Sequence, residues 1–433
     1  MSRRIFYDGL NLSLERGTGI ATYTRMLVRV ARDLGDRVGL VYSAPTLPAK
    51  NPLLREIAFF DAPEARGVTH WRGAYGVWRD MLRMPLGVSP GAVNLTGAVI
   101  ADQFRARLPA NDGLFVARNL FSNARRYFSL SGRFAELVFD APPDIMHCTY
   151  QMPLRAKSAC NVYTIHDLVP LRLPYTTLDN KRQTYRLLRK IAAEADHIVT
   201  VSENSRRDII DLLGVGEDRV TNTYQAVEFP RAVVERPVDL VAEQLDAAFG
   251  LPFGGYLLFY GAFEPKKNIG RLLDAYLTSA VDLPLVIAGP SGWGTDAETK
   301  LLAQLRAEDD PRGNRRIYHF EYVSVAMLVT LIRGARAVLF PSLYEGFGLP
   351  VLEAMMLGTP VVTSRASSIP EIGGDAVLYV DPYDADDIAT AIRTIASDAD
   401  LRGELAQRGR AQAELFSVAR YRERVAALYN RLG

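Results

Sequence analysis

The stretch FPSLYEGFGLPVLEAMMLGTPVV, from Phe340 to Val362, passes from one structural pattern to another within a short span. The apolar run AVLF at its start is typical of a buried strand, PSLYEGFGLP of a glycine-rich loop and VLEAMMLG of a helix. Pro350 suits the first turn of this helix and Gly358 its carboxyl-terminal cap. Strand, loop and helix in this order predict an α/β unit whose loop lies beyond the carboxyl end of a parallel strand.

Two carboxylates lie in or near the glycine-rich loop. Glu345 is part of the loop, and we expect Glu353 in the first turn of the helix that follows. A carboxylate in that turn can simply complement the helix dipole, which is worth about 0.3–1 kcal/mol. The dipole does not explain Glu345, which stands beside Gly346 and Gly348. Glycines let the backbone approach a ligand, amides at a helix N-terminus bind phosphate, and carboxylates accept hydrogen bonds from sugar hydroxyls. The loop therefore predicts a phosphorylated, polyhydroxylated ligand.

The composition is that of a soluble globular protein. The chain has 433 residues, of which 48% are hydrophobic and 23% charged, enough for two or three domains. A formal net charge of +2 argues against a nucleic-acid partner. We find no signal-peptide core at the N-terminus and no apolar run of about 18 residues, and therefore expect a cytoplasmic protein. Cys148 and Cys160 are too few for a disulfide framework or a structural zinc site.

Strand-like and helix-like runs alternate along the chain, which predicts α/β units around parallel sheets. Strands are expected at RIFYDG, VGLVYS, DIMHCTY, NVYTIHD and HIVTVS in the first half, and at YLLFYGAF, PLVIAGP, RIYHFEYV, AVLFPS, PVVTS and AVLYVDP in the second. Prolines and charges between Glu228 and Gly254 mark the boundary between two similar-sized domains. Ligands of such sheets bind beyond the carboxyl ends of the strands, here in a cleft between the domains.

Residues 55–135 depart from this alternation. They contain Trp71 and Trp78 and a series of arginines interleaved with Phe, Leu and Tyr: Arg105, Arg107, Arg118, Arg125, Arg126 and Arg133. One interpretation is a helical excursion of the first domain with solvated arginines. The other is a docking surface for an anionic acceptor or for membrane headgroups.

The ordered segments EGFGLPVLEAM, GTPVVTS and SSIPEIGGDAVLYVDP, with two glutamates eight positions apart, resemble the nucleotide-sugar-dependent glycosyltransferases of family 4, which have the GT-B fold. The resemblance covers roughly residues 1–50 and 140–415 and is weakest over 55–135. It implies an α/β protein of two Rossmann-like domains facing a central cleft. The expected divisions are an acceptor domain over 1–235, a donor domain over 250–415 and a last helix over 416–433 that crosses back to the first domain.

The resemblance assigns donor contacts around the glycine-rich loop. Glu353 would hold the ribose hydroxyls and Glu345 the hydroxyls of the transferred sugar, while the amides around Phe347, Gly348 and Leu349 hold sugar and phosphate.

The segment YGAFEPKKNI matches the opening of the family's second domain. Its Lys267 corresponds to a lysine that neutralises the donor diphosphate, and Lys266 stands where relatives commonly have arginine; a solvated lysine pair is the alternative. The sequence departs from the family at Ala262, which follows Gly261 where many relatives have an arginine that also faces the diphosphate. Either Lys266 or an arginine from elsewhere in the chain replaces this charge, or the site lacks it.

Two further segments resemble the family's first-domain side of the cleft. GTGIATYT supplies Gly17 and Gly19 to the loop that lies against the donor's phosphates and sugar, although a plain strand-to-helix turn is possible. YTIHDLVPL supplies His166 near the transferred sugar. A lone histidine is more often a core residue, but the end of an apolar strand favours the cleft.

Two other matches are less informative. Tyr322 and Val323 in HFEYVS match the segment whose backbone meets the nucleobase. Ser202 and Ser205 in VTVSENSRRDI are expected to be a strand end and a helix cap rather than ligands.

The resemblance implies retaining transfer by front-face attack, without a metal or a cofactor. No side chain is then the nucleophile, and Glu345, His166 and Lys267 act by positioning and electrostatics. No Asp-x-Asp pair stands in a context suited to a nucleotide site.

Three functions remain open. The first is hexose transfer, from GDP-mannose or a GDP-deoxyhexose such as GDP-rhamnose, to a glycan or lipid-linked glycan of a bacterial surface polysaccharide such as an O-antigen, with possible peripheral membrane contact. The second is a nucleotide-sugar epimerase or hydrolase on the same fold. The third is a non-catalytic donor-binding subunit.

Overall fold

The computed structural model describes residues 2–13, 19–45, 51–60, 81, 84–100, 108–290, 292, 300, 302 and 316–433. The strands in chain order are β1 Arg4–Asp8, β2 Arg37–Ala44, β3 Gly91–Ala92, β4 Gly113–Arg118, β5 Ala135–Leu137, β6 Ile145–Cys148, β7 Leu154–Ala156, β8 Cys160–Thr164, β9 His197–Thr200, β10 Val220–Asn222, β11 Leu257–Tyr260, β12 Leu285–Ala288, β13 Ile317–Phe320, β14 Ala337–Phe340, β15 Val361–Ser364 and β16 Leu378–Val380.

The α-helices within the same ranges alternate with most of these strands. They are α1 Gly19–Asp33, α2 Pro52–Phe60, α3 Leu120–Ser131, α4 Val169–Arg172, α5 Lys181–Glu194, α6 Glu203–Leu213, α7 Arg231–Val234, α8 Val238–Phe249, α9 Ile269–Ser279, α10 Val325–Gly334, α11 Leu349–Met356, α12 Ile369–Gly373, α13 Ala385–Ser397, α14 Ala399–Ala413 and α15 Val418–Leu432. The described helices include none that is both long and apolar enough to cross a membrane.

Two parallel sheets organise the chain. The first has the order β10-β9-β8-β6-β1-β2-β4-β3, with only the short β3 antiparallel to its neighbour, and the second has the order β13-β12-β11-β14-β15-β16. In both sheets the chain starts in the middle, builds to one edge and then returns to build to the other, which is the Rossmann order. The predicted α/β class with two Rossmann-like domains is confirmed.

The central strands are apolar because helices cover both faces of each sheet. Every residue of β11, β12, β14 and β15 is buried. Burying each large apolar side chain contributes about 1.5–3 kcal/mol. The polar loops at the ends of these strands are thereby held on a rigid base.

The interpretation of residues 55–135 as a helical excursion is wrong towards the C-terminal end of this segment. β4 pairs in parallel with β2 and belongs to the first sheet, and α3 follows directly. The sequence GLFVAR did not indicate this strand, because some of the strand's residues are only half-buried and its last residue is an arginine. Arg125 and Arg126 on α3 are exposed, whereas Trp71, Trp78, Arg105 and Arg107 lie outside the described residues.

The chain ends in α15, which lies against the first sheet. The Tyr429 hydroxyl is 2.9 Å from the Tyr7 hydroxyl and 2.8 Å from His147 Nδ1, and all three side chains are buried. Arg3 Nη1 donates to Asn430 Oδ1 at 2.9 Å. A polar network therefore attaches the last helix to β1 and β6.

Candidate active site

The carboxyl ends of the two sheets face each other across a cleft. A cavity of about 460 Å³ lies between them, with His166 and Asp167 after β8 on one side and Glu264 and Lys266 after β11 on the other. The walls also meet directly, because a Cβ added to Gly346 would lie 2.7 Å from the carbonyl oxygen of His166. A side chain at position 346 would thus separate the two walls.

Lys267 and Glu345 form an ion pair at the second sheet's switch point, where the loops after β11 and β14 meet. Lys267 Nζ donates to Glu345 Oε1 at 2.7 Å, and Ser342 Oγ donates to the same oxygen at 2.6 Å. Lys267 Nζ also lies 4.8 Å from the centroid of the Phe340 ring. The pair is largely withdrawn from solvent, with side-chain exposures of 13% for Lys267 and 9% for Glu345.

The lysines keep Glu345 ionised. Burial alone would raise the pKa of its carboxyl group, but the charges of Lys267 and Lys266, with hydrogen bonds from Lys267 and Ser342, lower it. Burial alone would lower the pKa of Lys266. The carboxylates of Glu345, Asp167 and Glu264 outweigh this effect and raise its pKa. The site is therefore a network of charges at neutral pH.

The loop that carries Glu345 is rigidly held from the next strand. Ser367 Oγ accepts from the backbone N–H of Glu345 at 2.8 Å, and Ser368 Oγ lies 2.9 Å from the Glu345 carbonyl and 2.8 Å from that of Phe347. Ser342, Ser367 and Ser368 were not singled out from the sequence, because serines in loops carry no distinctive spacing. They orient Glu345 through its backbone and its carboxylate.

Glu353 lies just beyond the first turn of its helix rather than within it. α11 begins at Leu349, so Glu353 is its fifth residue, and its first turn contains no acidic residue. The expectation of a first-turn position was wrong because the loop ends earlier than the sequence suggested. Burial raises the pKa of Glu353 to about 7, against the lowering effects of Tyr260 and Lys267. Its charge therefore changes near neutrality, unlike that of Glu345.

The residues between the two glutamates differ in their access to the cleft. Phe347 is buried, and its ring packs on Tyr224 and Phe416, so only its backbone is left for a ligand. Gly348, at φ 112° before α11, adopts a conformation that favours glycine. Leu349 meets the first domain, because a Cβ on Gly19 would lie 3.2 Å from Leu349 Cδ1.

His166 has one nitrogen committed to the protein. Its Nε2 lies 2.9 Å from the Thr149 carbonyl oxygen, which can only accept, so Nε2 carries the proton. Tyr23 packs edge-on against the ring at 4.9 Å between centroids. Burial lowers the pKa of His166, which leaves a neutral imidazole whose Nδ1 is a hydrogen-bond acceptor.

The remaining residues expected to bind the donor lie at the edge of the cleft or partly outside the described residues. Tyr322 is exposed and Val323 half-buried, just beyond β13. Gly17 and Thr18 lie outside the described residues, and Gly19 is the first residue of α1. Lys266 lines the cavity, and its Nζ lies 3.5 Å from Glu264 Oε2, so it is a candidate to replace the arginine missing at Ala262.

Sequence patterns missed the residues that join the two walls. The Glu371 carboxylate accepts from the backbone N–H groups of Glu203 at 2.8 Å and Asn204 at 2.6 Å, the first two residues of α6. Tyr344 donates to Asp208, also on α6. Glu371 lies in the SSIPEIGG segment, but a contact across 168 positions leaves no local pattern. Ser202 caps the same helix by accepting from Ser205 N at 3.0 Å, so the cap is the first of the two serines named from the sequence, and Ser205 lies inside the helix.

Within the described ranges, no three His, Cys, Asp or Glu side chains are grouped so that they could hold a metal ion. The polar groups around the cleft include two lysines, a neutral histidine, the ionised carboxylate of Glu345 and backbone amides. Such an arrangement can hold a diphosphate and a polyol side by side.

Sequence profiles of two families match the chain. The profile Glycosyl transferases group 1 matches residues 254–412, and the profile Glycosyltransferase Family 4 matches residues 98–228. O-antigen chain mannosyltransferase B of Escherichia coli is 37% identical over 278 residues, which are 62% of this chain and 69% of that protein. The serotype-specific mannosyltransferase WbdA of Escherichia coli is 29% identical over 60% of this chain, but the chain spans only 32% of WbdA.

Solved structures share the architecture at low sequence identity. Anabaena HepE, in a crystal structure with UDP and glucose, has a TM-score of 0.66 at 15% identity and covers 99% of this chain and 100% of its own. Sucrose-phosphate synthase of Thermosynechococcus elongatus has a TM-score of 0.64 at 17% identity, with 99% of each chain covered. At these identities the likeness concerns the fold.

Proposed function

The chain belongs to the family 4 (group 1) glycosyltransferases of the GT-B fold, and from this membership we propose that it is a retaining mannosyltransferase. In this proposal the donor is GDP-mannose, the acceptor is a hydroxyl of a glycan or lipid-linked glycan, and the product is a bacterial surface polysaccharide such as an O-antigen. A lipid-linked acceptor would be reached by peripheral contact on the cytoplasmic side of the membrane.

The observation that carries the proposal is the Lys267–Glu345 pair at the cleft. Withdrawing two charges from water costs several kcal/mol per ion, and apolar residues of similar volume often give equal or better stability. A pair held at the end of two parallel strands, beside a helix N-terminus, is therefore better explained by a ligand than by stability. Its cation suits a diphosphate and its carboxylate suits sugar hydroxyls.

Mannose is favoured by the relatives. The 37% identical protein and WbdA are both named as mannosyltransferases, and so is the MMP alpha-(1->4)-mannosyltransferase of Mycolicibacterium hassiacum, at 28% identity over 56% of this chain. GDP-rhamnose, whose sugar is a deoxyhexose related to mannose, is the competing donor. No side chain near Tyr322 and Val323 distinguishes the base.

The residues would divide the work of a front-face substitution. The acceptor oxygen bonds to the anomeric carbon, the bond to the diphosphate breaks, and the acceptor proton passes to the departing phosphate oxygen. Lys267, Lys266 and the amides at the start of α11 would stabilise the charge that grows on the diphosphate, without a metal ion. Glu345 would orient the sugar, and the unprotonated His166 Nδ1 would accept a hydrogen bond from a sugar hydroxyl.

The donor is tested by thermal shift and then by turnover. Purified protein is heated with GDP-mannose, GDP-rhamnose, UDP-glucose, dTDP-rhamnose and ADP-glucose, and each stabilising donor is incubated with a mannose-terminated oligosaccharide. We expect the largest shift and transfer with GDP-mannose, and an axial product linkage by NMR. A shift confined to UDP-glucose would contradict the donor assignment. Consumption without acceptor would favour the epimerase or hydrolase, and binding without turnover the donor-binding subunit.

A further inference from the structure

Asp8 is the last residue of β1, at the edge of the first sheet that faces the cleft, yet its carboxylate is enclosed by protein. The residue is only 1% exposed and is not among those that line the cavity. Ligands of such sheets bind beyond the carboxyl ends of the strands, but this carboxylate cannot meet one. Keeping it out of water is costly unless neighbouring groups hydrogen-bond it. Its contacts therefore indicate its role.

The carboxylate of Asp8 holds Thr149, the residue that follows β6. Asp8 Oδ2 accepts from the backbone N–H of Thr149 and from its hydroxyl, the latter at 2.9 Å. Thr24 Oγ1, on α1, donates to the same hydroxyl at 3.0 Å. Burial raises the pKa of Asp8, and the two hydrogen bonds from Thr149 are the largest effects that lower it. Thr149 is completely buried, so its backbone is fixed in one orientation.

The carbonyl oxygen of Thr149 in turn holds His166, which lines the cavity. It lies 2.9 Å from His166 Nε2. The ring is also packed against Tyr23, and Ser205 Oγ on α6 donates to the His166 carbonyl oxygen at 3.0 Å. These two contacts fix the place of the residue. Of the three supports, only the Thr149 carbonyl decides which ring nitrogen carries the proton, because it can only accept.

Building on the proposed function, we infer that Asp8 and Thr149 are positioning residues for the sugar transfer: Asp8 fixes Thr149, and the Thr149 carbonyl keeps the proton of His166 on Nε2. The unprotonated Nδ1 is then free to accept a hydrogen bond from a hydroxyl of the bound sugar. If the carbonyl turned away, the proton would be shared between both nitrogens, and Nδ1 would present a donor for part of the time. Support of this kind keeps a site in its productive geometry.

A structural role for Asp8 makes a different prediction. If Asp8 only joined β1 to the loop after β6, its loss would lower stability without changing the protonation of His166. If it positions His166, the loss changes where the imidazole proton lies, and it reduces transfer while binding of GDP, which lacks the sugar, is retained.

The position of the imidazole proton is measured by NMR, independently of turnover. Protein labelled with ¹⁵N-histidine gives long-range ¹H–¹⁵N correlations that identify the protonated ring nitrogen, and His166→Gln identifies the signals of His166. We expect the proton on Nε2 in the wild type and in Thr149→Ser, which keeps the hydroxyl. In Asp8→Asn and Thr149→Val we expect it to be shared between Nε2 and Nδ1. A proton that stays on Nε2 in both of these variants would overturn the inference.

The kinetic test compares two side chains at position 149. Thr149→Val keeps the shape but lacks the hydroxyl, so turnover of GDP-mannose should fall about tenfold, as a small displacement of a positioned group can cause, with GDP affinity within about twofold of wild type. Thr149→Ser should restore turnover. Equal losses of turnover in the two variants would contradict the role of the hydroxyl.

A matched control separates positioning from stability. Thr359→Val removes another buried threonine hydroxyl, which donates to the Ile332 carbonyl oxygen at 2.7 Å in the second domain. It should leave the His166 signals and turnover unchanged. Circular dichroism selects folded variants, and if Asp8→Asn does not fold, the two Thr149 variants decide the question. Absence of GDP-mannose turnover in the wild type would reject the proposed function, whereas the NMR spectra would still decide whether Asp8 and Thr149 position His166.

Discussion

Lys267 and Glu345 neutralise each other, with 2.7 Å between Lys267 Nζ and Glu345 Oε1. In the proposed function a donor would share both residues, with its diphosphate at the lysine and its sugar at the carboxylate. Because the two charges are paired, replacing either residue also changes the surroundings of the other. We expect Glu345 variants to affect binding of the sugar and Lys267 variants to affect binding of the diphosphate.

Replacing Glu345 by Gln should reduce transfer about 10²–10³-fold, as expected for the loss of one preorganised electrostatic contact. Affinity for GDP, which lacks the sugar, should stay within about twofold of wild type. Calorimetry with GDP and initial rates with GDP-mannose measure the two effects. Equal losses in GDP affinity and in rate would contradict the sugar-side role of Glu345.

Lys267→Met should show the opposite pattern. Its side chain is similar in length but uncharged, so GDP affinity should fall by about tenfold or more as the diphosphate loses its cation. Lys157→Met, a lysine outside the cleft, serves as the control. Because the variant leaves Glu345 buried without its partner, circular dichroism must first show that the protein is folded. Wild-type affinity for GDP in a folded variant would exclude the diphosphate contact.

Glu353 should make donor binding dependent on pH. Its pKa of about 7 means that it is protonated below neutrality, whereas in the proposed donor site its ionised form would better accept hydrogen bonds from the ribose hydroxyls. Affinity for GDP should rise from pH 6 to pH 8, by at most about tenfold per unit below pH 7. Calorimetry in buffers at pH 6, 7 and 8 measures this dependence.

Glu353→Gln should remove that pH dependence and also change stability. A raised carboxyl pKa means that Glu353 contributes stability below about pH 4.5, and that this contribution is lost as the pH rises through about 7. The variant should therefore melt higher than wild type at pH 8 while binding GDP more weakly. A lower melting temperature at pH 8 would argue against a buried, uncompensated charge.

At the scale of elements, α6 is the contact between the two walls of the cleft. Glu371 from the second domain caps its first two N–H groups, Tyr344 bonds Asp208 on its next turn, and Arg172 Nε holds Asp208 at 2.8 Å. Tyr344 adjoins Glu345, and Arg172 ends the short helix that follows His166. α6 therefore connects the loop that carries Glu345 to the wall of the first domain that carries His166.

Glu371→Gln should loosen this contact. The carboxylate accepts one backbone N–H on each of its two oxygens, whereas the amide has only one oxygen to accept them. Loss of a helix cap costs about 0.5–2 kcal/mol, so we expect transfer to fall about 2- to 30-fold while GDP affinity is retained. Small-angle scattering should show a larger radius of gyration for the variant. Glu404→Gln, on α14, is the control. Weaker GDP binding without a change in radius would assign Glu371 to the donor site instead.

At the scale of the whole molecule, the chain closes on itself through α15. Tyr429 lies between Tyr7 and His147, and His147 Nε2 lies 2.8 Å from the hydroxyl oxygen of Thr164. The second domain is thereby connected to the first both before β11 and after α14. Movement of the two sheets must be accommodated by these two connections.

Tyr429→Phe should leave His147 Nδ1 and the Tyr7 hydroxyl without their buried partner. The expected cost is about 1–3 kcal/mol in the free energy of unfolding, measured by urea denaturation. Tyr322→Phe, at an exposed position, should have no effect. If the Tyr429 variant matched wild type in stability, the network would not attach α15 to the first sheet.

The sequence by itself determined the alternating architecture and most of the strands, because buried parallel strands leave continuous apolar runs such as LVIA and AVLF. It also indicated the chemistry of the glycine-rich loop, since residues from Glu345 to Glu353 are neighbours in the chain. It placed Glu353 within the first turn of its helix instead of just beyond it, and it missed β4, because a helix start and a partly exposed strand are decided by packing rather than by residue type.

Only the tertiary structure decided which groups meet in the cleft. Lys267 and Glu345 are 78 positions apart, and Glu371 and Glu203 are 168 apart. No periodicity records such pairs, because they form when the ends of strands from different parts of the chain are brought to one edge of a sheet or to facing edges of two. The protonation of Glu345 and Glu353 was likewise out of reach of the sequence. Burial raises the pKa of both carboxyl groups, and only the placement of Lys267, Lys266 and Ser342 around Glu345 lowers its pKa instead.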